Sequence, residues 1–139
     1  MLRSLRIVAV LHAISLLAQP ILAGMYMSGQ DTMIDMHANN STLLLVLGLA
    51  LSVLAFLAWR KRLVTRQIFT QAAAIWILEV VQMGFGYSHT LWIHIPLGTM
   101  LLAGTAVLMT RLMGPQPVRE STDRMTTLAE VHSIAEASE

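Results

Sequence analysis

Four apolar runs divide this chain, at residues 5–27, 36–59, 68–87 and 91–113. Each is long enough to cross a bilayer, which takes about 20 mostly apolar residues. Backbone in hydrocarbon must satisfy its own hydrogen bonds, so such runs are predicted to be helices. The linkers between them are short, which makes consecutive helices antiparallel neighbours. The predicted fold class is an all-α membrane protein, an up-down bundle of four transmembrane helices over residues 1–113. Residues 114–139 form a polar tail. Composition agrees: 12% of the 139 residues are charged and 55% hydrophobic, whereas soluble domains are about a quarter charged.

Lys and Arg give an orientation. Arg3 and Arg6 precede the first span, Arg60, Lys61, Arg62 and Arg66 fill the second linker, and Arg111, Arg119 and Arg124 lie at or after the fourth span. The first linker has only Asp31 and Asp35, and the third carries no full charge. Both termini and the 60–66 linker are therefore predicted cytoplasmic in a cell (inner) membrane, with the other two linkers outside. A secretory signal peptide is the competing reading of "MLRSLRIVAVLHAISLLA". The apolar run continues past Pro20 to Met27, longer than a usual signal core, and favours a membrane span. In the tail, "GPQP" stops the fourth helix. The spacing of Met125, Leu128, Val131 and Ala135 allows a short surface helix, and His132 reads as a solvated histidine.

Several chemistries are excluded or disfavoured. Net charge is +1, so no nucleic-acid partner is suggested. The absence of cysteine rules out disulfides, thiolate metal sites, iron–sulfur clusters and covalent haem attachment. No nucleophile–base constellation, phosphate loop or His-Glu-x-x-His occurs, which weakens a hydrolase reading.

The polar residues inside the spans carry what remains, because ionisable groups at membrane depth are expensive and face the bundle interior. The two hairpins look related. "LLAQPILAGMYMSG…MHANNS" and "LEVVQMGFGYSHTLWIHIPLG" each place a Gln (Gln19, Gln82) and a Gly (Gly24, Gly86) in the outgoing helix, then a His (His37, His94) at the start of the returning one. A twofold relation would set His37 and His94 at similar depth on diagonal helices. Neutral imidazole is a common metal and haem ligand. One turn further in are Ser41 and Gly98, on the same faces, which leaves room for a flat macrocycle. Small residues also let membrane helices pack closely with no cofactor at all. His89 competes with His94 but falls in the outer linker. Pro96 is tolerated in a first helical turn; in a helix beginning near Thr90 it would free a carbonyl.

His12, two turns from the other end, reads as a hydrogen-bonded core residue. Glu79 lies near the middle of the third span with Gln82 on its face, and at that depth it is expected to be protonated or paired. It either serves as a proton or cation site, or hydrogen-bonds to Gln19 or to the carbonyl freed by Pro20. Met25, Met27, Met33 and Met36 around the first linker raise a weaker copper reading, since thioether suits Cu(I). Trp59 and Trp92 fit interfacial belts, and Trp76 is deeper and packs.

The pattern Gln-x4-Gly, "MHA", Gln-x3-Gly, "HIPLG" resembles one four-helix half of haem A synthase, over roughly residues 5–113. It is also similar, more closely in length, to small four-span bacterial membrane proteins of unassigned function. The resemblance to haem A synthase implies that His37 and His94 are axial ligands of a haem near the outer side. Two departures matter: the chain is one half and not two, and Asp31 and Asp35 do not reproduce the acidic residue close before the first ligand. Oxygenase activity therefore does not carry over.

The expected function is that of an integral membrane b-type haem-binding protein with His37 and His94 as axial ligands. Gln19, Gln82 and Asp35 would orient them. Bis-histidine ligation leaves no open iron position, which favours electron transfer or haem handling, with a membrane redox or assembly partner or a second copy of the chain, over enzymatic oxygen chemistry. Two other classes stay open: a cofactor-free accessory or assembly subunit of a larger membrane complex, and a small proton-coupled transporter using Glu79.

Overall fold

The computed structural model describes residues 1–116 and, in the tail, Met125, Thr126, Leu128, Glu130 and Ile134. Four helices follow in chain order: α1 (Leu2–Met27), α2 (Met33–Arg60), α3 (Arg66–Tyr87) and α4 (Leu91–Met113). All four are long and apolar enough to cross a membrane. They pack as a ring in which α1 meets α2, α2 meets α3, α3 meets α4, and α4 closes more loosely on α1. The pairs α1–α3 and α2–α4 are diagonals. Helix limits run up to three residues beyond the apolar runs at Leu2, Met33 and Arg66, since a helix continues into the interface past the hydrocarbon. Met125 and Leu128 are helical and exposed; Val131, His132 and Ala135 lie outside the described residues.

The outer faces are as apolar as the core, which sets this bundle apart from a soluble one. Along α1 the exposed face carries Ile7, Leu11, Ile14, Leu17 and Ile21, and the buried face carries Leu5, Ala9, His12 and Ser15. Lipid solvates the first face as well as a protein core would. The interior therefore joins small residues, which let backbones approach, to polar ones that bond across helices. Ser15 Oγ donates to Asn40 Oδ1 at 2.6 Å, and Asn40 Nδ2 donates back to Ser15 O at 2.8 Å, tying α1 to α2. Ser52 Oγ reaches Ala72 O at 3.1 Å and Trp76 Nε1 reaches Leu45 O at 3.2 Å, tying α2 to α3. Gln71 Nε2 donates to Gly104 O at 2.9 Å, tying α3 to α4.

Three helices end the same way. The N–H groups of Gly29 and Gln30 bond Tyr26 O and Met25 O; those of Arg62 and Leu63 bond Trp59 O and Ala58 O; those of His89 and Thr90 bond Gly86 O and Phe85 O. These are Schellman closures, which place one residue in the left-handed region. That residue is Gly29 (φ 92), Arg62 (φ 55) and His89 (φ 55).

Closure of the ring depends on one charge. Arg6 of α1 donates from Nε to Leu112 O at 3.1 Å and from Nη2 to Gly114 O at 3.5 Å. Those are the orphan carbonyls at the end of α4, where the helix dipole favours a cation. Gln116 Nε2 covers Arg111 O at 2.9 Å beside them. Replacing Arg6 by Ala is expected to cost about 1–2 kcal/mol, read as a lower Tm in detergent, while Arg3→Ala, at an exposed site, leaves Tm unchanged.

Candidate functional site

His37 is the fifth residue of α2 and His94 the fourth of α4. Their helices are diagonal, yet their ring centroids approach to 6.2 Å with an interplanar angle of 58°. Each ring is held by its Nδ1 against a backbone carbonyl of the preceding helix. His94 Nδ1 lies 2.9 Å from Gln82 O, and His37 Nδ1 lies 3.1 Å from Gln19 O. A carbonyl only accepts, so His94 carries its proton on Nδ1 and keeps the Nε2 lone pair free. Among the described residues neither Nε2 has a hydrogen-bond partner.

The glutamines complete the link in the other direction. Gln82 Nε2 donates to His94 O at 2.7 Å. With the Gln19 amide turned to satisfy both of its ends, its nitrogen lies 3.3 Å from His37 O and 2.8 Å from His37 Nδ1, and its oxygen accepts from Ser41 N at 3.1 Å. Each hairpin thus contains one reciprocal Gln–His clasp. The His94 tautomer is fixed by a single acceptor. His37 Nδ1 sits between a carbonyl and an amide N–H, so its tautomer is the freer of the two.

The small residues serve the clasps more than they leave open space. A Cβ on Gly98 would stand 2.8 Å from Gln82 Nε2, and one on Gly86 would stand 3.0 Å from His94 Cε1. Gly24 has open space where a side chain would go, as does Gly84. Counted from the matching helix ends, Gly24 corresponds to Gly84 and not to Gly86. Ser41 turns its hydroxyl to Ala38 O at 2.6 Å.

Between the rings is a cavity of about 270 Å³. His37, Ser41, Gln82, Met83, His94 and Gly98 contribute to its wall, and Glu79, Leu44 and Leu101 bound it toward the centre of the bundle. Its exposed lining residues, Pro20, Met27, Ile95 and Thr99, come only from α1 and α4. The mouth is therefore on the loose α1–α4 seam.

Deeper in, His12 Nε2 and Glu79 Oε1 are 2.7 Å apart, and the two residues are 0% and 5% exposed. Sequence reasoning offers Glu79 a partner in Gln19 or in the carbonyl freed by Pro20. The structure gives it His12, because Gln19 is engaged with His37 and Ser41. Gly48 makes the pairing possible: a Cβ there would lie 2.5 Å from Glu79 Oε2 and 3.0 Å from Trp76 Cδ1. The carboxyl of α3 thus rests directly on the α2 backbone while it reaches α1.

Other candidates fall away from the cavity. His89 is exposed and occupies the left-handed position that Gly29 fills in the first hairpin, so its backbone closes α3. Asp35 is exposed in the first turn of α2 and does not touch either clasp. Pro96 lies inside α4 and not in its first turn, so Trp92 O loses its helical partner. Met27 and Met36 are exposed, with Met27 at the cavity mouth. Asn40 was not singled out by spacing, although it shares a face with His37 and Leu44. The His/Cys/Asp/Glu side chains among the described residues form no cluster of three or more, so any metal here would rest on two imidazoles and its own further ligands.

The chain matches no family model, no curated protein and no solved structure. Two substitutions test the geometry. Gly48→Ala is expected to destabilise by about 1–3 kcal/mol through overpacking against Glu79, seen as a lower Tm. His89→Gly is expected to stabilise by about 1 kcal/mol by relieving the left-handed conformation, where a ligand role for His89 would instead show as altered metal or haem binding.

Proposed function

We propose that this chain is a multi-pass membrane protein that holds one b-type haem between His37 and His94, with both termini and the 60–66 linker on the cytoplasmic side. Its role is electron transfer or haem handling within the membrane.

One observation carries the reading: two imidazoles on diagonal helices, each tied back through Nδ1, stand 6.2 Å apart across a cavity. A metal–imidazole bond is about 2.0–2.1 Å, and a ring nitrogen stands ~1.1 Å from its own centroid. Two imidazoles that held one metal ion through ring nitrogens would put their centroids at most roughly 6.3 Å apart by that bond length. The two clasps hold the ring planes at 58° to each other. A ligating histidine almost always gives its other N–H to a carbonyl or carboxylate, which is what Gln82 O receives and Gln19 O is placed to receive. The cavity, about 270 Å³, is smaller than the usual cofactor pockets of about 300–1,000 Å³. Its mouth on the α1–α4 seam lets a flat group extend past that volume toward lipid.

A haem held by His37 and His94 would supply one-electron chemistry. The chain's own residues do the rest. The clasps fix ring direction, Met83, Leu44 and Leu101 exclude water, and the seam faces the bilayer. A second reading has support as well: the clasps tie α1 to α2 and α3 to α4 with no cofactor, as an accessory subunit would need.

An absorption spectrum separates the two. The protein purified in mild detergent from a haem-competent host is expected to show a red-shifted Soret band and a sharp α band on dithionite reduction. Both should be lost in His37→Ala and in His94→Ala and kept in His89→Gly. A wild-type protein that stays colourless after adding haem sinks the haem reading and leaves the subunit reading standing.

A further inference from the structure

A groove opens on the seam between α1 and α4 at the end of the bundle away from the cavity, about 560 Å³ in volume. This is the seam that packs most loosely in the ring. Arg3 and Arg6 stand at the head of the groove; three residues apart on α1, they share a face. Ile7, Val10 and Leu11 continue it along α1, and Met113 is its wall on α4. All four apolar side chains are exposed. From Arg3 to Leu11 the helix descends about 12 Å, at 1.5 Å per residue. The groove therefore joins a cationic head to an apolar trough that runs into the depth of the span.

The charge around it has one sign. Every Lys and Arg of residues 1–116 lies at this end of the bundle, while Asp31 and Asp35 lie at the opposite end and Glu79 in the interior. Arg6 is already ordered, because its Nε and Nη2 bond the last carbonyls of α4. A guanidinium has five N–H donors, and Nη1 of Arg6 has no hydrogen-bond partner among the described residues. Arg3 is exposed and makes no hydrogen bond or ion pair among the described residues.

We propose that this groove binds one anionic phospholipid, its phosphate held by Arg3 and Arg6 and an acyl chain laid along Ile7, Val10 and Leu11 against Met113. The site is independent of what the cavity between His37 and His94 holds. A guanidinium fork matches the oxygens of a phosphate. Residues 1–116 offer no carboxylate here to the ammonium of a zwitterionic headgroup, so net negative charge decides between lipids. A polypeptide is a poorer occupant, since its backbone would lose hydrogen bonds at the depth of Leu11, where a hydrocarbon chain has none to lose. The bound lipid joins the first turns of α1 to the last turn of α4, and so reinforces the closure that Arg6 makes.

The test is thermal unfolding of the delipidated full chain in mild nonionic detergent at low salt, with phosphatidylglycerol, phosphatidylcholine or inorganic phosphate added. Phosphatidylglycerol is expected to raise the wild-type Tm by about 5 °C, and the other two to leave it unchanged. Arg3→Ala is expected to abolish the rise. Arg60→Ala, which removes the same charge at the same end but outside the groove, is expected to keep it. A rise of equal size with phosphatidylcholine overturns the proposal, as does one that survives in Arg3→Ala. Equal loss in both variants overturns it in favour of general surface attraction, and an equal rise with inorganic phosphate in favour of an anion site without a lipid. No rise with any addition overturns it and leaves the groove to the chain's own tail or to a second copy. If Arg3→Ala does not fold, native mass spectrometry of the wild type decides. One phosphatidylglycerol retained in preference to phosphatidylcholine, with both supplied equally, supports the site, and equal retention overturns it.

Discussion

Lipid gives these helices no hydrophobic reason to associate with one another, since the acyl chains are as apolar as their side chains. What holds the bundle is close approach plus hydrogen bonds made where water is absent. That constraint explains why Gly48, Ser52 and Thr105 are buried among the core leucines, while further isoleucines and leucines also face outward. It also explains why so many links use backbone carbonyls as acceptors. A carbonyl has a second lone pair free even inside a helix, so Gln19 O, Gln82 O, Ala72 O, Leu45 O and Gly104 O can each take a side-chain donor without breaking the helix.

The same constraint shapes the site. Gln19 and Gln82 are costly in hydrocarbon unless both ends of each amide are used. Pairing with the main chain of a histidine uses both ends of the Gln19 amide and the nitrogen of the Gln82 amide, and holds the rings at once. The glycines at 86 and 98 are then required by His94 and Gln82, with contacts that a Cβ would close to 3.0 Å and 2.8 Å. Among the described residues, three of the five buried polar side-chain atoms without a partner are His12 Nδ1, Glu79 Oε2 and Gln82 Oε1.

How much of this was legible in the sequence follows from what each signal depends on. Spans depend on composition alone, so the fourth came out as residues 91–113 and the others within three residues of their ends. The starts at Leu2, Met33 and Arg66 were short because charged and polar residues beside them ended the apolar run without ending the helix. The approach of His37 to His94 was legible because a weak repeat sets the depth of both. The partner of Glu79 was not, because it depends on how α1 and α3 rotate and slide past each other over a separation of 67 residues. His89, a weaker candidate than His94 in the sequence, sits at a left-handed turn position that only the alignment with Gly29 shows.

The cavity takes wall residues from all four helices, and its mouth lies between the first and the last. Arg6, near the start of the chain, waits for carbonyls at Leu112 and Gly114. During synthesis the first hairpin can clasp as soon as it is inserted, because Gln19 and His37 are both in hand. The second clasp and the ring itself have to wait for α4. The site is therefore complete only once α4 is in place, and until then the buried carboxyl of α3 stands beside an unfilled gap.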